Sequence, residues 1–491
     1  MLEVEEGAAR AMTRPTRLAI LALAVGLAVL GYVFPLPEIS EPGRRLTAVM
    51  LLVATLWVSE ALPLAVTALL GPALAVLIGV APAEQAFAGF GNPIIILFIG
   101  SFLLARVTFK HRLNERIAYR VLSLSILGND PTRAFVFLGL TTAALSAWMS
   151  NVAVTAMMLP IAQSVLLAMS GGARQAPGTY AAAFILIVTY AASIGGLFTP
   201  VGTPPNLIGI GLIAQATGYR IGFDEWIVKV LPVTLLILVA MTVYLAVVFR
   251  HEKQALVYDR AQMLARYLAL GAWRPVERRI AVALVTTAAF WLGPPVIGLA
   301  MPELGAWLTR HLAEAVAPVL VAGVLFWVSE GDGSPRPIMD LDDLAGIDWP
   351  VVVLFGGGMC LGQLMMQTGM AQALGALLAQ FLPSHNGPAL VFLFALLAVV
   401  VSETTSNTAS ANMVVPVVLA VSTQVGGDPI ALGLAATVAC TFGFMLPVST
   451  PTNAMAYSTG YITQPQMIRY GIVLDVLGIT LLSVWFGYVV R

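Results

Sequence analysis

Along the chain, long apolar stretches alternate with short polar ones. Leu18 to Val33, Thr47 to Val58, Ala61 to Val80, Ala181 to Leu197, Val228 to Phe249, Val282 to Leu299, Val316 to Val328 and Ile472 to Val490 carry few or no charges. A helix needs roughly 20 apolar residues to cross the hydrocarbon, so these runs and the less regular ones predict about 10 to 12 crossings. The short alternating strands of a β-barrel do not occur in the pattern. The fold expected is an all-α polytopic membrane protein.

The polar residues show that the chain repeats itself. Trp57-Val58-Ser59-Glu60 recurs as Trp327-Val328-Ser329-Glu330. Asn92-Pro93, then Leu97-Phe98 and Gly100, matches Trp349-Pro350, then Leu354-Phe355 and Gly357. Ser146, Ser150-Asn151 and Pro160 match Ser402, Ser406-Asn407 and Pro416. Pro200-Val201-Gly202-Thr203-Pro204-Pro205-Asn206 matches Pro447-Val448-Ser449-Thr450-Pro451-Thr452-Asn453. Apolar runs resemble one another easily, but polar residues held in order do not. The expected organisation is an N-terminal segment with a leading helix (1–45), a first repeat (46–249), a linker (250–279) and a second repeat (280–491). Two segments with mid-run charges or glycines, Phe98 to Leu127 and Val351 to Phe381, are expected to be re-entrant hairpins, which a membrane tolerates where backbone is buried in protein.

Composition agrees: 59% of the 491 residues are hydrophobic and 10% charged, against about a quarter charged in soluble proteins. The zero formal net charge gives no sign of a nucleic-acid partner. Arg10, Arg14 and Arg17 precede the first run, which lacks a clear cleavage site and is read as a retained helix. Arg250, Lys253, Arg260, Arg266, Arg274, Arg278 and Arg279 make the linker basic. By the positive-inside rule the linker and the N-terminus are cytoplasmic. Cys360 and Cys440 read as small core residues. None of His111, His251, His311 and His385 has a second ligand type at metal spacing.

Ser150-Asn151 and Ser406-Asn407-Thr408 interrupt apolar segments, Phe135 to Met169 and Leu390 to Val421, that are too long for one straight crossing. The expectation is a broken helix in each half. Its first part ends in free carbonyls suited to a cation. Its second part begins with free N–H groups suited to an anion. One Ser-Asn pair could be explained by a hydrogen bond to a neighbouring helix. Two in equivalent positions of two halves point to a transport site. The segments around Thr203-Pro204-Pro205 and Thr450-Pro451 add proline breaks that free further carbonyls. No Lys or Arg lies in any of the four interruptions, which favours an anion held with co-bound cations. Glu403 has no counterpart in the first half, where Ala147 stands. It is either a proton carrier or an acid facing water beside the break. Glu60 and Glu330 stand at helix ends, where capping or interfacial roles suffice.

With these motifs the chain resembles the divalent anion:sodium symporter family, carriers of dicarboxylates, citrate or sulfate. The resemblance runs from about residue 46 onward and rests on Ser150-Asn151-Val152-Ala153-Val154-Thr155, Ser406-Asn407-Thr408-Ala409 and the two proline-containing segments. It implies inverted repeats, a dimerising scaffold domain and a transport domain that moves against it as an elevator. It implies one sodium ion among Ser146, Ser150, Asn151 and the backbone of Gly202. A second would sit among Ser402, Thr405, Asn407 and the backbone of Ser449. The substrate carboxylates would meet Asn151, Thr203, Ser406, Asn407, Thr408 and Pro451. The sequence departs from the family at Val152, where threonine is usual, and so loses one hydroxyl beside the anion.

The function expected is sodium-coupled symport of divalent anions such as the C4-dicarboxylate succinate, by a homodimer in the bacterial inner (plasma) membrane. A dicarboxylate exchanger and a carrier of sulfate or another small anion remain alternatives. A channel would want a continuous polar pore, and an enzyme a nucleophile, base and metal constellation. The sequence offers neither.

Overall fold

A computed structural model describes residues 13–36, 39–169, 180–249, 258–331, 333–382 and 387–490. Arg10, Arg250, His251, Lys253 and His385 lie outside them. The first half contains α1 (Arg14–Val33), α2 (Glu41–Ser59), α3 (Leu64–Leu77), α4 (Pro93–Lys110), α5 (Leu113–Leu122), α6 (Pro131–Ser146), α7 (Asn151–Met169), α8 (Tyr180–Gly195), α9 (Pro204–Thr217) and α10 (Leu231–Val248). Then come α11 (Arg260–Ala269), α12 (Pro275–Ala300), α13 (Pro302–His311) and α14 (Val316–Leu325). A two-stranded hairpin, β1 (Ser329–Gly331) and β2 (Ser334–Pro337), precedes α15 (Trp349–Gln367), α16 (Met370–Ala379), α17 (Gly387–Thr404), α18 (Asn407–Gln424), α19 (Pro429–Ala439), α20 (Pro451–Ser458) and α21 (Gln464–Val484). The linker thus contains a helix, and α12 begins at Pro275, ahead of residue 280.

Among the described residues eight helices are long and apolar enough to cross a membrane. The count is nine if α13 and α14, bent by 63°, form one span. This falls below the estimate from apolar runs. The chain cuts several runs into shorter helices, such as Leu64–Leu77, Tyr180–Gly195 and Pro429–Ala439.

The repeat is visible in the backbone. Asn92 caps α4 by accepting from Ile94 N–H at 2.9 Å, and Asp348 caps α15 by accepting from Val351 N–H at 3.4 Å. Both helices end in a left-handed turn residue, Arg112 (φ 61°) and Gly369 (φ 75°). Each then packs on the opposite half. A Cβ at Gly100 of α4 would lie 2.9 Å from Pro318 of α14, and one at Gly357 of α15 would overlap the Ala68 carbonyl of α3. Gly357→Ala is therefore expected to force α3 and α15 apart, costing about 1–3 kcal/mol, read as a lower thermal midpoint. The recurrence at Trp57 and Trp327 is not structural. Trp57 ends α2, is buried, and donates to Leu64 O. Trp327 is 88% exposed ahead of β1.

The Ser-Asn segments are hairpin tips rather than end-to-end breaks. Ser410 Oγ donates to Ala398 O at 3.3 Å. Twelve residues of continuous helix would separate such groups by about 18 Å, so α17 and α18 lie side by side. In the first half, Gly139 faces Ile187 and Gly195 faces Ala143. The partner numbers rise together, so α6 and α8 run parallel and α7 must run back between them. The proline segments separate α8 from α9 and α19 from α20. Gly209 meets Thr437 and Ile213 meets Gly433. There one number rises as the other falls, so α9 and α19 are antiparallel. Phe98 to Leu127 folds as α4, itself long enough to span, and the short α5. Buried Arg116 ties α5 to Glu277 at 3.1 Å and to the carbonyls of Leu270, Gly271 and Ala272.

Candidate functional site

The two hairpin tips and the two proline breaks face one cavity of about 760 Å³. Asn151, Thr203, Ser406, Asn407, Thr408 and Pro451 all line it, as do Ser150, Gly202, Ser449 and Val152. Four helix N-termini, those of α7, α9, α18 and α20, therefore open on the same space. The hairpin-tip helices α7 and α18 offer first-turn N–H groups to an anion, whereas α9 opens on Pro204-Pro205 and α20 on Pro451, which have none.

Behind this surface the two halves share three hydrogen bonds. Ser146 Oγ donates to Asn151 Oδ1 at 2.8 Å, and Ser402 Oγ to Asn407 Oδ1 at 2.8 Å. Both serines are fully buried. Asn206 Nδ2 donates to Gly196 O at 2.9 Å and Thr199 O at 2.8 Å. Asn453 Nδ2 donates to Gly443 O at 2.6 Å and Leu446 O at 3.0 Å. These asparagines staple the loops, a role the motif itself contained but that no propensity argument singles out. Each keeps a buried carboxamide oxygen without a hydrogen-bond partner, Asn206 Oδ1 and Asn453 Oδ1.

Oxygen atoms also converge at Gly202. A Cβ there would lie 2.5 Å from Gly196 O, 2.9 Å from Ser146 O and 3.0 Å from Ala147 O. These carbonyls come from the C-terminal ends of α6 and α8, where the helix dipole is negative. Such a set of hard oxygens fits a small cation. The second half is built differently. Ser449 occupies the position of Gly202, and its one hydroxyl proton is shared between Gly443 O at 2.7 Å and Leu446 O at 2.8 Å. Thr405 is buried, and its hydroxyl donates to Val401 O at 2.9 Å. Neither Ser146, Ser402 nor Thr405 lines the cavity; they sit behind its wall.

Glu403 does not face water. It is 3% exposed and accepts from Met445 N–H at 2.7 Å and Leu446 N–H at 3.0 Å. Buried Asp475 of α21 lies beside it. That acid, inside the run Ile472 to Val490, was readable as an interruption but has no partner in sequence to give it meaning.

The cavity rim carries charges that reading each break alone could not bring together. Lys110 Nζ reaches Asp343 at 2.7 Å and Asp340 at 3.0 Å, and Arg106 lies 3.8 Å from Asp343. These contacts tie α4 to the segment before α15. Lys110 and the Asp343 N–H hold the Asp340 carboxyl below its usual range. A depressed folded value means this contact stabilises above the ordinary carboxylate range and is lost as pH falls through the lower value. Asp343→Asn leaves Lys110 with an exposed partner alone. The expected cost is about 1.5–3 kcal/mol, read as a drop in thermal midpoint at neutral pH.

Known proteins resemble the chain both in sequence and in fold. The family described as sodium:sulfate symporter, transmembrane region, matches residues 15–490. A Haemophilus influenzae protein described as an uncharacterized transporter is 32% identical over 90% of each chain. The sodium-dependent dicarboxylate transporter SdcS of Staphylococcus saprophyticus is 28% identical over 91% of this chain and 86% of its own. Among solved structures, Neisseria gonorrhoeae MtrF shares the fold with a TM-score of 0.57 at 14% identity, covering 99% of this chain and 97% of that one. The Alcanivorax borkumensis YdaH transporter does so with the same TM-score and identity, covering 97% and 99%.

Proposed function

This chain belongs to the sodium:sulfate symporter family, and from that premise we propose that it carries C4-dicarboxylates such as succinate together with sodium ions. As a member of the family it is an integral membrane, sodium-coupled divalent-anion symporter and not an enzyme. The observation that carries the finer reading is the single cavity onto which four helix N-termini open, backed by carbonyls of helix C-termini. The N-termini, with Asn151, Thr203, Ser406, Asn407, Thr408 and Pro451, receive two carboxylates, one from each half. One sodium ion is held by Ser146, Ser150, Asn151 and the Gly202 backbone. The other is held by Ser402, Thr405, Asn407 and the Ser449 backbone. Each cation lies behind a hairpin tip that also touches the substrate, so the ions create the positive field that the tips lack. The staphylococcal relatives are named dicarboxylate transporters, which favours a dicarboxylate over sulfate.

The hairpins and broken helices form the transport domain, which moves past a scaffold of the outer helices as an elevator. The scaffold dimerises through apolar faces such as Val282, Val285, Val296 and Leu299 of α12, all exposed in one protomer. The protein sits in the bacterial inner membrane with its N-terminus cytoplasmic.

Competition tests the substrate. Labelled succinate uptake by proteoliposomes should be inhibited by unlabelled fumarate or malate and little by sulfate. Stronger inhibition by sulfate would make sulfate the substrate, and Val152 on the cavity wall its first specificity determinant.

A further inference from the structure

The two halves secure their site loops by the same pair of positions with opposite chemistry. In the first half the Thr199 hydroxyl of the loop donates to the Ala147 carbonyl of the hairpin tip. In the second, Leu446 stands where Thr199 stands and Glu403 where Ala147 stands. There the hairpin supplies the side chain, and the loop supplies its backbone. Glu403 Oε2 accepts from Leu446 N–H at 3.0 Å and Oε1 from Met445 N–H at 2.7 Å. The Leu446 carbonyl in turn accepts from Ser449 Oγ at 2.8 Å and Asn453 Nδ2 at 3.0 Å. Glu403 thus fixes the backbone that holds Ser449. It follows directly after Ser402, whose hydroxyl is shared between Asn407 Oδ1 and Cys440 O.

We propose that Glu403 is the positioning residue of the second cation site, joining the hairpin tip to the loop so that their oxygens face one ion. This rests on the sodium-symport reading above. Glu403 does not line the cavity, so it acts through the loop and not on the ion or the substrate. The Glu403 carboxyl accepts from two successive N–H groups, where the first half has a single hydroxyl bond. The two sodium sites therefore differ in what maintains them.

The internal repeat supplies the test. Sodium-dependent thermal stabilisation of the purified protein reads cation binding without substrate, because a ligand that binds the folded state raises its midpoint. Sodium chloride is titrated against choline chloride at constant ionic strength. Glu403→Ala should raise the half-stabilising sodium concentration about tenfold or more, and Glu403→Gln, which keeps one acceptor oxygen, by less. Glu403→Ala with Leu446→Thr rebuilds the first-half contact, a hydroxyl donating to the carbonyl of residue 403, and should return the curve toward wild type. A general loss of packing would not be repaired by a smaller polar side chain. A Glu403→Ala curve that coincides with wild type overturns the assignment, and so does a double variant no closer to wild type than Glu403→Ala. If Glu403→Ala cannot be purified folded, an unchanged Glu403→Gln curve overturns it equally. Wild-type protein with neither sodium stabilisation nor sodium-driven uptake would instead overturn the symporter reading itself.

Discussion

Asn151→Ala and Asn407→Ala should each lower sodium-driven uptake by at least about 100-fold. Each carboxamide stands at a hairpin tip on the cavity wall, receives a buried serine hydroxyl at 2.8 Å and offers its nitrogen onward. Asn151 reaches Thr203 Oγ1 at 3.5 Å and Asn407 reaches Thr441 O at 3.4 Å, contacts long enough to yield to a ligand. A hydrogen bond to a charged group contributes about 1.5–3 kcal/mol, or about 10- to 150-fold in affinity. An asparagine that serves both the cation and the anion loses both terms at once. Each substitution also takes an acceptor from a buried serine, at a cost of about 1–3 kcal/mol, so the thermal midpoint of each variant is read alongside its uptake. Initial rates of labelled succinate uptake measure the effect, and a rate within threefold of wild type would remove either residue from the site.

Gly202→Ala should abolish sodium-driven uptake by another route. The added methyl would stand 2.5–3.0 Å from three backbone carbonyl oxygens, Gly196 O, Ser146 O and Ala147 O. Backbone cannot rotate away as a side chain can, so the cradle must open. Overpacking of this kind costs about 1–3 kcal/mol, and the methyl fills the space proposed for the first ion. The second half already carries Ser449 there, hydrogen-bonded to Gly443 O and Leu446 O, so the first site is the more sensitive to a Cβ. The expected result is purified protein whose thermal midpoint responds less steeply to sodium and whose uptake is at background. A sodium titration indistinguishable from wild type would show that the three carbonyls hold no ion.

Much of this was legible in the residues. The matched Ser150-Asn151 and Ser406-Asn407 pairs located the cavity, because polar residues kept in equivalent positions of apolar runs need a shared reason. Chain direction was not legible. A break and a hairpin tip have the same composition, and only contacts such as Ser410 to Ala398 tell them apart. The repeat at Trp57 and Trp327 was too short to carry geometry. Glu403 was visible as an oddity, but its role depends on Met445 and Leu446, over 40 residues away. The rim charges Arg106 and Lys110 gain their meaning from Asp340 and Asp343, more than 200 residues on.

Labelled succinate uptake into proteoliposomes, under an inward sodium gradient and then under equal potassium or choline gradients, tests the central claim most directly. Accumulation above the external concentration with sodium alone, and none with the other cations, is the predicted result. Uptake that ignores sodium and requires dicarboxylate inside the vesicles would contradict it and identify an exchanger of the same fold.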